Sequence, residues 1–238
     1  SGGNPELRPW IADAFDLSWE KYFLDGLSYV AVAAFYKDLD SWVINTPQVY
    51  DFTGFPIGDG PEPVLREGLV SIPTNGEGGE ISGFELAGAI SLAAFTDSWW
   101  GGFGAIGSAS FTDSSIEDSP GNEITVPGLS EDVYNLTVYY ETERFSIRAS
   151  GRKRSDFLGE VAGFGNGRDF RTVQGETVVD AQASYFFGGS AQGLSLLAQV
   201  LNLTDEEFVT FGNEDERQVI DYQRYGRTFL VGLSYSFN

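Results

Sequence analysis

The alternation of hydrophobic and polar positions is sharpest over residues 225–238. Tyr225, Phe229, Val231, Leu233, Tyr235 and Phe237 share one phase of a period-two pattern, interrupted only by Arg227. Gly226, Thr228, Leu230, Gly232, Ser234 and Ser236 share the other. Period two predicts a strand. One face is apolar and aromatic and the other is small and mostly hydroxylic. A soluble sheet would bury the first; a membrane barrel would turn it to lipid and the second to its lumen.

The same pattern runs through the chain. Ile11, Phe15, Leu17, Trp19 and Phe23 alternate with smaller and charged residues, and Leu24-Asp25-Gly26 then reads as a tight turn. Further strands are predicted at about 27–40, 80–95, 100–113, 134–140, 145–154, 176–187 and 193–202, making about nine in all. The connections alternate in length. Those at 24–26, 96–99, 141–143 and 188–190 are short; those at 41–79, 114–130, 157–175 and 203–224 are long. Aromatic residues gather at the short-turn ends: Tyr22 and Phe23, Phe95 with Trp99 and Trp100, Tyr139 and Tyr140, Tyr185 to Phe187, and Tyr235 with Phe237. Alternating loop lengths, an aromatic girdle on one rim and strands long enough for a tilted crossing favour an antiparallel transmembrane β-barrel wall over a soluble sandwich. Bacterial single-chain barrels have even strand numbers, so about nine strands, in a chain that begins at Ser1 and lacks Met, are expected to be one part of a larger barrel.

Composition narrows the chemistry. The 238 residues contain no Cys and no His, which removes thiolate and imidazole metal sites and the usual nucleophile–base pairs. The formal net charge of −21 argues against nucleic acid as a partner. No run approaches the 18 or more apolar residues of a membrane-spanning helix, and no linker divides the chain. No acid–base or nucleophile set points to an enzyme, and no cofactor is implied. The acidic pairs Glu206-Glu207 and Glu214-Asp215-Glu216 lack the spacing of a calcium loop and read as a solvated face.

Two groups remain as candidates. The loop 41–79 carries Trp42, Tyr50, Phe52 and Phe55 among Pro and Gly; such rings stack on sugars or else pack the loop against itself. In the strand 145–154, Arg148, Arg152 and Arg154 fall on the polar, lumen-facing phase, and Glu176 and Asp180 fall on the same phase of the following strand. Cross-strand ion pairs are expected there, as a wall ladder or as substrate contacts.

Four motifs in order resemble those of TonB-dependent outer-membrane receptors. They are Gly3-Asn4-Pro5-Glu6-Leu7-Arg8-Pro9 followed by Asp16-Leu17-Ser18-Trp19-Glu20-Lys21-Tyr22-Phe23; Asn75-Gly76-Glu77-Gly78-Gly79-Glu80-Ile81-Ser82-Gly83-Phe84-Glu85-Leu86; Leu201-Asn202-Leu203-Thr204-Asp205; and the terminal strand from Gly226. Trp10 and the second motif look most like a proteobacterial subgroup associated with oligosaccharide uptake. The resemblance implies the C-terminal strands of a 22-stranded barrel around a plug, in the bacterial outer membrane. It implies as partners the remaining strands, the plug, membrane lipid, TonB and a glycan or other small substrate. In such receptors an aromatic C-terminus is read during barrel assembly; Gly232, Tyr235 and Phe237 keep that spacing here, although Asn238 follows. A siderophore receptor, a passive porin-like channel and a soluble carbohydrate-binding β-protein stand as the other readings.

Overall fold

The computed structural model describes residues 3–23, 26–58, 60–119, 121–162 and 168–237. In chain order the strands are β1 (Ala12–Phe23), β2 (Ser28–Leu39), β3 (Val43–Asp51), β4 (Glu67–Asn75), β5 (Gly79–Ser91), β6 (Phe103–Ser119), β7 (Asn122–Ile124), β8 (Asp132–Glu141), β9 (Phe145–Arg154), β10 (Phe157–Ala162), β11 (Arg168–Val173), β12 (Glu176–Phe186), β13 (Leu194–Leu201), β14 (Phe208–Phe211), β15 (Val219–Gln223) and β16 (Thr228–Tyr235). Nine of them form one antiparallel meander, β1-β2-β5-β6-β8-β9-β12-β13-β16, with β7 attached to β6. These are the nine strands that the alternation predicts. Leu24, Asp25 and Asn238 lie outside the described residues.

Register shows where the apolar phase goes. Residues directly opposite one another share a face, and one row runs Ile90, Ala105, Val138, Ala149, Ala181, Val200, Phe229 across seven strands without a polar residue. On the first strands the same face carries Leu17, Ala34, Phe84 and Phe111. This face is open: Leu17 is 77% exposed and Val231 79%. Hydrophobic residues make up 42% of the chain, yet among the described residues only Trp42, Ile116, Val173, Val178 and Phe211 are buried apolar side chains. A soluble sheet of this size would cover such a face; the arrangement here is that of a sheet solvated by lipid. On the opposite face the rows are hydroxylic and charged, with Thr137 beside Ser150 (2.9 Å between hydroxyls) and Ser150 opposite Asp180.

The girdle is continuous where the turns are short. Trp99 and Trp100 stack at 4.0 Å, Trp100 reaches Phe103, Phe103 reaches Tyr140 at 4.6 Å, and Tyr140 reaches Phe145. The link expected at 96–99 is longer than the sequence suggested. β5 ends at Ser91, and two 3-10 turns, Leu92–Ala94 and Trp99–Gly102, carry the chain to β6. On the polar face, Gly104 lies directly opposite Tyr139, whose ring occupies the space a side chain at 104 would need. The glycine is required by that ring.

Beyond the opposite rim the expected loops are hairpins. Tyr29 faces Ala89 and Leu39 faces Gly79; past a short break, Val43 faces Asn75 and Asp51 faces Glu67. One step forward on one strand matches one step back on the other throughout, so β3–β4 prolongs β2–β5 in unbroken register. The same holds for β9–β12, where Arg154 faces Glu176, and β10–β11, where Phe157 faces Val173. The segment 203–224 holds a third hairpin, β14–β15, which joins β10–β11 in a four-stranded sheet through β11 and β14. The two outer edges of the meander, β1 and β16, do not pair with each other among the described residues.

Candidate functional site

The four rings singled out in the segment 41–79 separate into two groups. Trp42 is 8% exposed and stacks on Trp10, with ring centres 4.2 Å apart. Its indole N–H is buried and has no acceptor. Tyr50, Phe52 and Phe55 form a triangle of edge-on contacts at 5.0–6.0 Å near the tip of β3–β4. The Arg66 guanidinium closes that tip, donating to Phe55 O (3.3 Å) and pairing with Glu62 (3.1 Å).

Two of the three arginines of β9 share one carboxylate on β12. Arg152 and Arg154 both lie 3.6 Å from Glu176, and Arg154 also stacks on Phe157 at 4.3 Å. Arg148 turns the other way, to Glu141 on β8 (2.9 Å). Asp180, expected to share in the ladder, instead accepts the backbone N–H of Asn202 (2.8 Å). It caps the end of β13. Alternation places Asp180 on the correct face but cannot show that the turn at the end of the neighbouring strand needs its carboxylate.

That turn is the Asn202-Leu203-Thr204-Asp205 motif. Asn202 and Asp205 have φ of 54° and 58°, a left-handed conformation that Asn and Asp tolerate better than most residues. The Asn202 amide donates to Glu206 O and Gly226 O (3.2 Å each), and its carbonyl oxygen accepts Glu206 N–H (2.8 Å). Arg224 pairs with Asp205 and holds that carboxyl below its ordinary pKa. Arg227, which interrupts the apolar phase in sequence, lies outside β16 and donates to Leu203 O (2.8 Å). The motif is a knot joining β12, β13 and the entry to β16.

At the C-terminus, Gly232 faces Leu197, and Tyr235 packs edge-on against Phe237 at 4.8 Å. Phe237 lies past the end of β16 and is exposed.

One concavity was not apparent from the sequence. It is a cavity of about 610 Å³ where three outer elements converge: the β6–β7 hairpin, the β10–β11 hairpin and the tip that joins β14 to β15. Its polar lining is Ser114, Ser115, Thr125 and Thr172 with Glu123, Glu131, Asp156, Glu214 and Glu216; Ile124, Phe157, Leu158 and Phe211 complete it. Ser115 donates to Glu123 (3.3 Å), and Asp156 accepts Gly175 N–H (2.6 Å). Among the described residues the side chains of Glu131, Glu214 and Glu216 have no ion pair. A neighbouring cavity of about 470 Å³ shares Phe157 but differs in charge. There Arg171 pairs with Asp221 (2.8 Å), which also accepts the Thr210 hydroxyl (3.0 Å). The lining residues of the large cavity come from segments a hundred residues apart, so only the meander's order reveals them.

A meander with a lipid-facing apolar face, short turns on an aromatic rim and long hairpins on the other rim is the wall of an outer-membrane β-barrel. The chain belongs to the TonB dependent receptor-like, beta-barrel family, whose model matches residues 1–203. It is similar in fold to the copper transporter OprC (16% identity, 99% of this chain and 34% of that one, TM-score 0.64). It also resembles the ferric enterobactin receptor PfeA of Pseudomonas aeruginosa (16%, 97% and 32%, 0.63) and the ferric citrate transporter FecA (17%, 94% and 31%, 0.59). The chain spans about a third of the length of these structures. No match is found among curated proteins. The narrower resemblance to an oligosaccharide subgroup has no counterpart in these matches.

Proposed function

We propose that this chain supplies the C-terminal wall and part of the outer mouth of an energised outer-membrane importer, completed by a plug, further strands and TonB, and that its ligand is a neutral, hydroxyl-rich molecule, an oligosaccharide. The two open edges support the first part. Each unpaired strand edge in hydrocarbon leaves backbone groups unsatisfied at several kcal/mol apiece, so both edges need partner strands.

The donor inventory of the large cavity carries the second part. Among the described residues its polar side chains are hydroxyls and carboxylates only, with no amide, ammonium or guanidinium in the lining. Carboxylates accept and do not donate. A ligand seated there supplies the donors for these carboxylates itself, as a polyol does, while the half-buried Phe157 ring offers an apolar platform for its ring carbons. The exposed rings Tyr50 and Phe55 are a second set of contacts on the β3–β4 tip; Trp42, covered by Trp10, holds that hairpin. An anionic iron chelate meets five carboxylates and is disfavoured by long-range repulsion.

The rival reading, a metal chelate, has one feature in its favour: Arg148 and Arg152 are half-exposed cations on the inner wall. Calorimetry on the intact polypeptide with a panel of neutral oligosaccharides and with ferric citrate separates the two. Phe157→Ala is expected to weaken glycan binding about fivefold, from loss of roughly 1 kcal/mol of ring contact. Tight ferric citrate binding with no response to any glycan would overturn the glycan assignment and leave the wall assignment standing.

A further inference from the structure

Two motifs that are distant in sequence meet in space at the root of β3–β4. The side chain of Asn75, the last residue of β4, makes a reciprocal pair with the backbone of one residue of the N-terminal segment: its amide donates to Arg8 O (3.0 Å) and its oxygen accepts Arg8 N–H (2.9 Å). An asparagine side chain here does what a strand backbone does in a ladder. Asn4 adds a bond from its amide to Pro73 O (2.9 Å), and Trp10 lies flat on Trp42.

The hairpin so held has little else to hold it. Among the described residues β3 and β4 form a two-stranded sheet with no third strand, and such a ribbon is marginally stable alone. It joins the membrane sheet through the break at residues 40–42 and 76–78, where Trp42 N–H donates to Glu77 O (3.2 Å) and Gly76 N–H to Trp42 O (2.8 Å). Register is the same on both sides of the break, so bending there shifts no pairing. Gly78 passes so close to the β2 end that a Cβ would collide with the backbone of Leu39 and Asp40. The held position also has a cost: the Trp42 indole N–H is enclosed without an acceptor, and an unmet buried donor is worth as much as the bonds that oppose it.

We propose that β3–β4 is an arm hinged at this break, that Asn75 is the positioning residue of a latch between the arm and the segment 4–10, and that release of the latch moves the Tyr50, Phe52 and Phe55 tip as a unit. The inference does not depend on the class of ligand.

Hydrogen exchange read by mass spectrometry on the intact polypeptide tests it. In Asn75→Ala, amides of 43–51 and 67–75 are expected to exchange at least tenfold faster, while those of 132–154 in β8 and β9 keep their wild-type rates. Arg8→Pro removes the opposing N–H without touching the arm and is expected to do the same. Asn75→Asp, which keeps the acceptor and loses the donor, falls between. Unchanged exchange in the arm in both Asn75→Ala and Arg8→Pro would overturn the latch. Equal acceleration in 132–154 would overturn the hinge, since it would mark a general loss of stability.

Discussion

Asn202→Ala is expected to destabilise the sheet more than its place in a half-buried turn suggests. The residue sits at φ 54°, where Ala is disfavoured relative to Asn by about 1 kcal/mol. Its side chain makes two bonds to carbonyl oxygens and accepts one backbone N–H and the Thr204 hydroxyl. A hydrogen bond contributes about 0.5–1.5 kcal/mol net; water replaces some of these at this half-buried turn, so roughly 1–3 kcal/mol is lost with the amide. The total is about 2–4 kcal/mol. Two further variants separate the terms. Asn202→Gly tolerates the backbone and loses only the bonds, so it is expected to be about 1 kcal/mol milder than Ala. Asn202→Asp keeps the acceptor bonds and loses the two donors. Urea unfolding of the intact polypeptide in detergent micelles, followed by tryptophan emission, measures all three. An alanine variant within 0.5 kcal/mol of wild type would refute the knot as a stabilising element, and equal Gly and Ala values would refute the backbone argument.

Other consequences are direct. Val231→Arg places a cation on the lipid face of β16 and is expected to reduce the membrane-inserted fraction, at about 2–4 kcal/mol for a midplane site; a wild-type yield of folded protein in membranes would argue against a lipid-facing β16. Gly104→Val is expected to cost about 1–3 kcal/mol by displacing the Tyr139 ring, and Tyr139→Ser in the same chain recovers part of that loss; additive effects in the double variant would show that the two do not share one space. Asp205, held below its ordinary pKa by Arg224, and Asp215, held at about 2 chiefly by Arg217, contribute order to 203–224 that is present above the ordinary carboxylate pKa. That order is lost as pH falls through the depressed folded values, so protection of these amides holds from neutrality to about pH 4 and then declines. Asp205→Asn removes Asp205's share, and exchange rates in this segment that already rise between pH 7 and 5 would contradict the assignment.

The nine membrane strands were legible because lipid demands an unbroken apolar phase, and period two exposes that phase directly in residues such as Phe229, Val231 and Leu233. The outer hairpins were hidden because no lipid demands it of them. β3 contains Pro47 and β4 contains Pro73. In a two-stranded ribbon the missing N–H can point outward at no cost, but in sequence the prolines read as loop. The pairing of Arg152 and Arg154 with Glu176 followed from phase alone, since facing strands at known register bring those residues together. Asp180 and Arg148 did not follow, because each takes a partner that phase leaves open: a turn amide for one, and Glu141 on the other neighbouring strand for the other. The large cavity left no local signal at all. Its carboxylates come from three separate parts of the chain, and only Glu214 and Glu216 lie in a run that is acidic on its own, where it reads as a solvated face.

Charge is the property that joins these pieces to function, and it gives the last prediction. The net charge is −21, yet Arg148, Arg152, Lys153 and Arg154, four of the chain's 14 basic residues, lie within β9. Carboxylates dominate the cavity at the mouth, and the inner wall of β9 presents guanidinium donors. A polyol is suited to both, donating its hydroxyls to the first and accepting from the second. An anion is suited only to the second and reaches it past the first. Ionic strength distinguishes the two cases. Between about 10 mM and 150 mM salt the screening length falls from roughly 30 Å to 8 Å, which removes most of the long-range repulsion felt by an approaching anion. Stopped-flow association of a neutral oligosaccharide is expected to stay within about twofold across that range, because no net charge is being steered. Association of an anionic chelate, if it binds at all, is expected to accelerate as salt is added. An anionic ligand that associates fastest at low salt would show that the arginines, and not the carboxylates, govern entry, and the glycan reading of the mouth would fall with it.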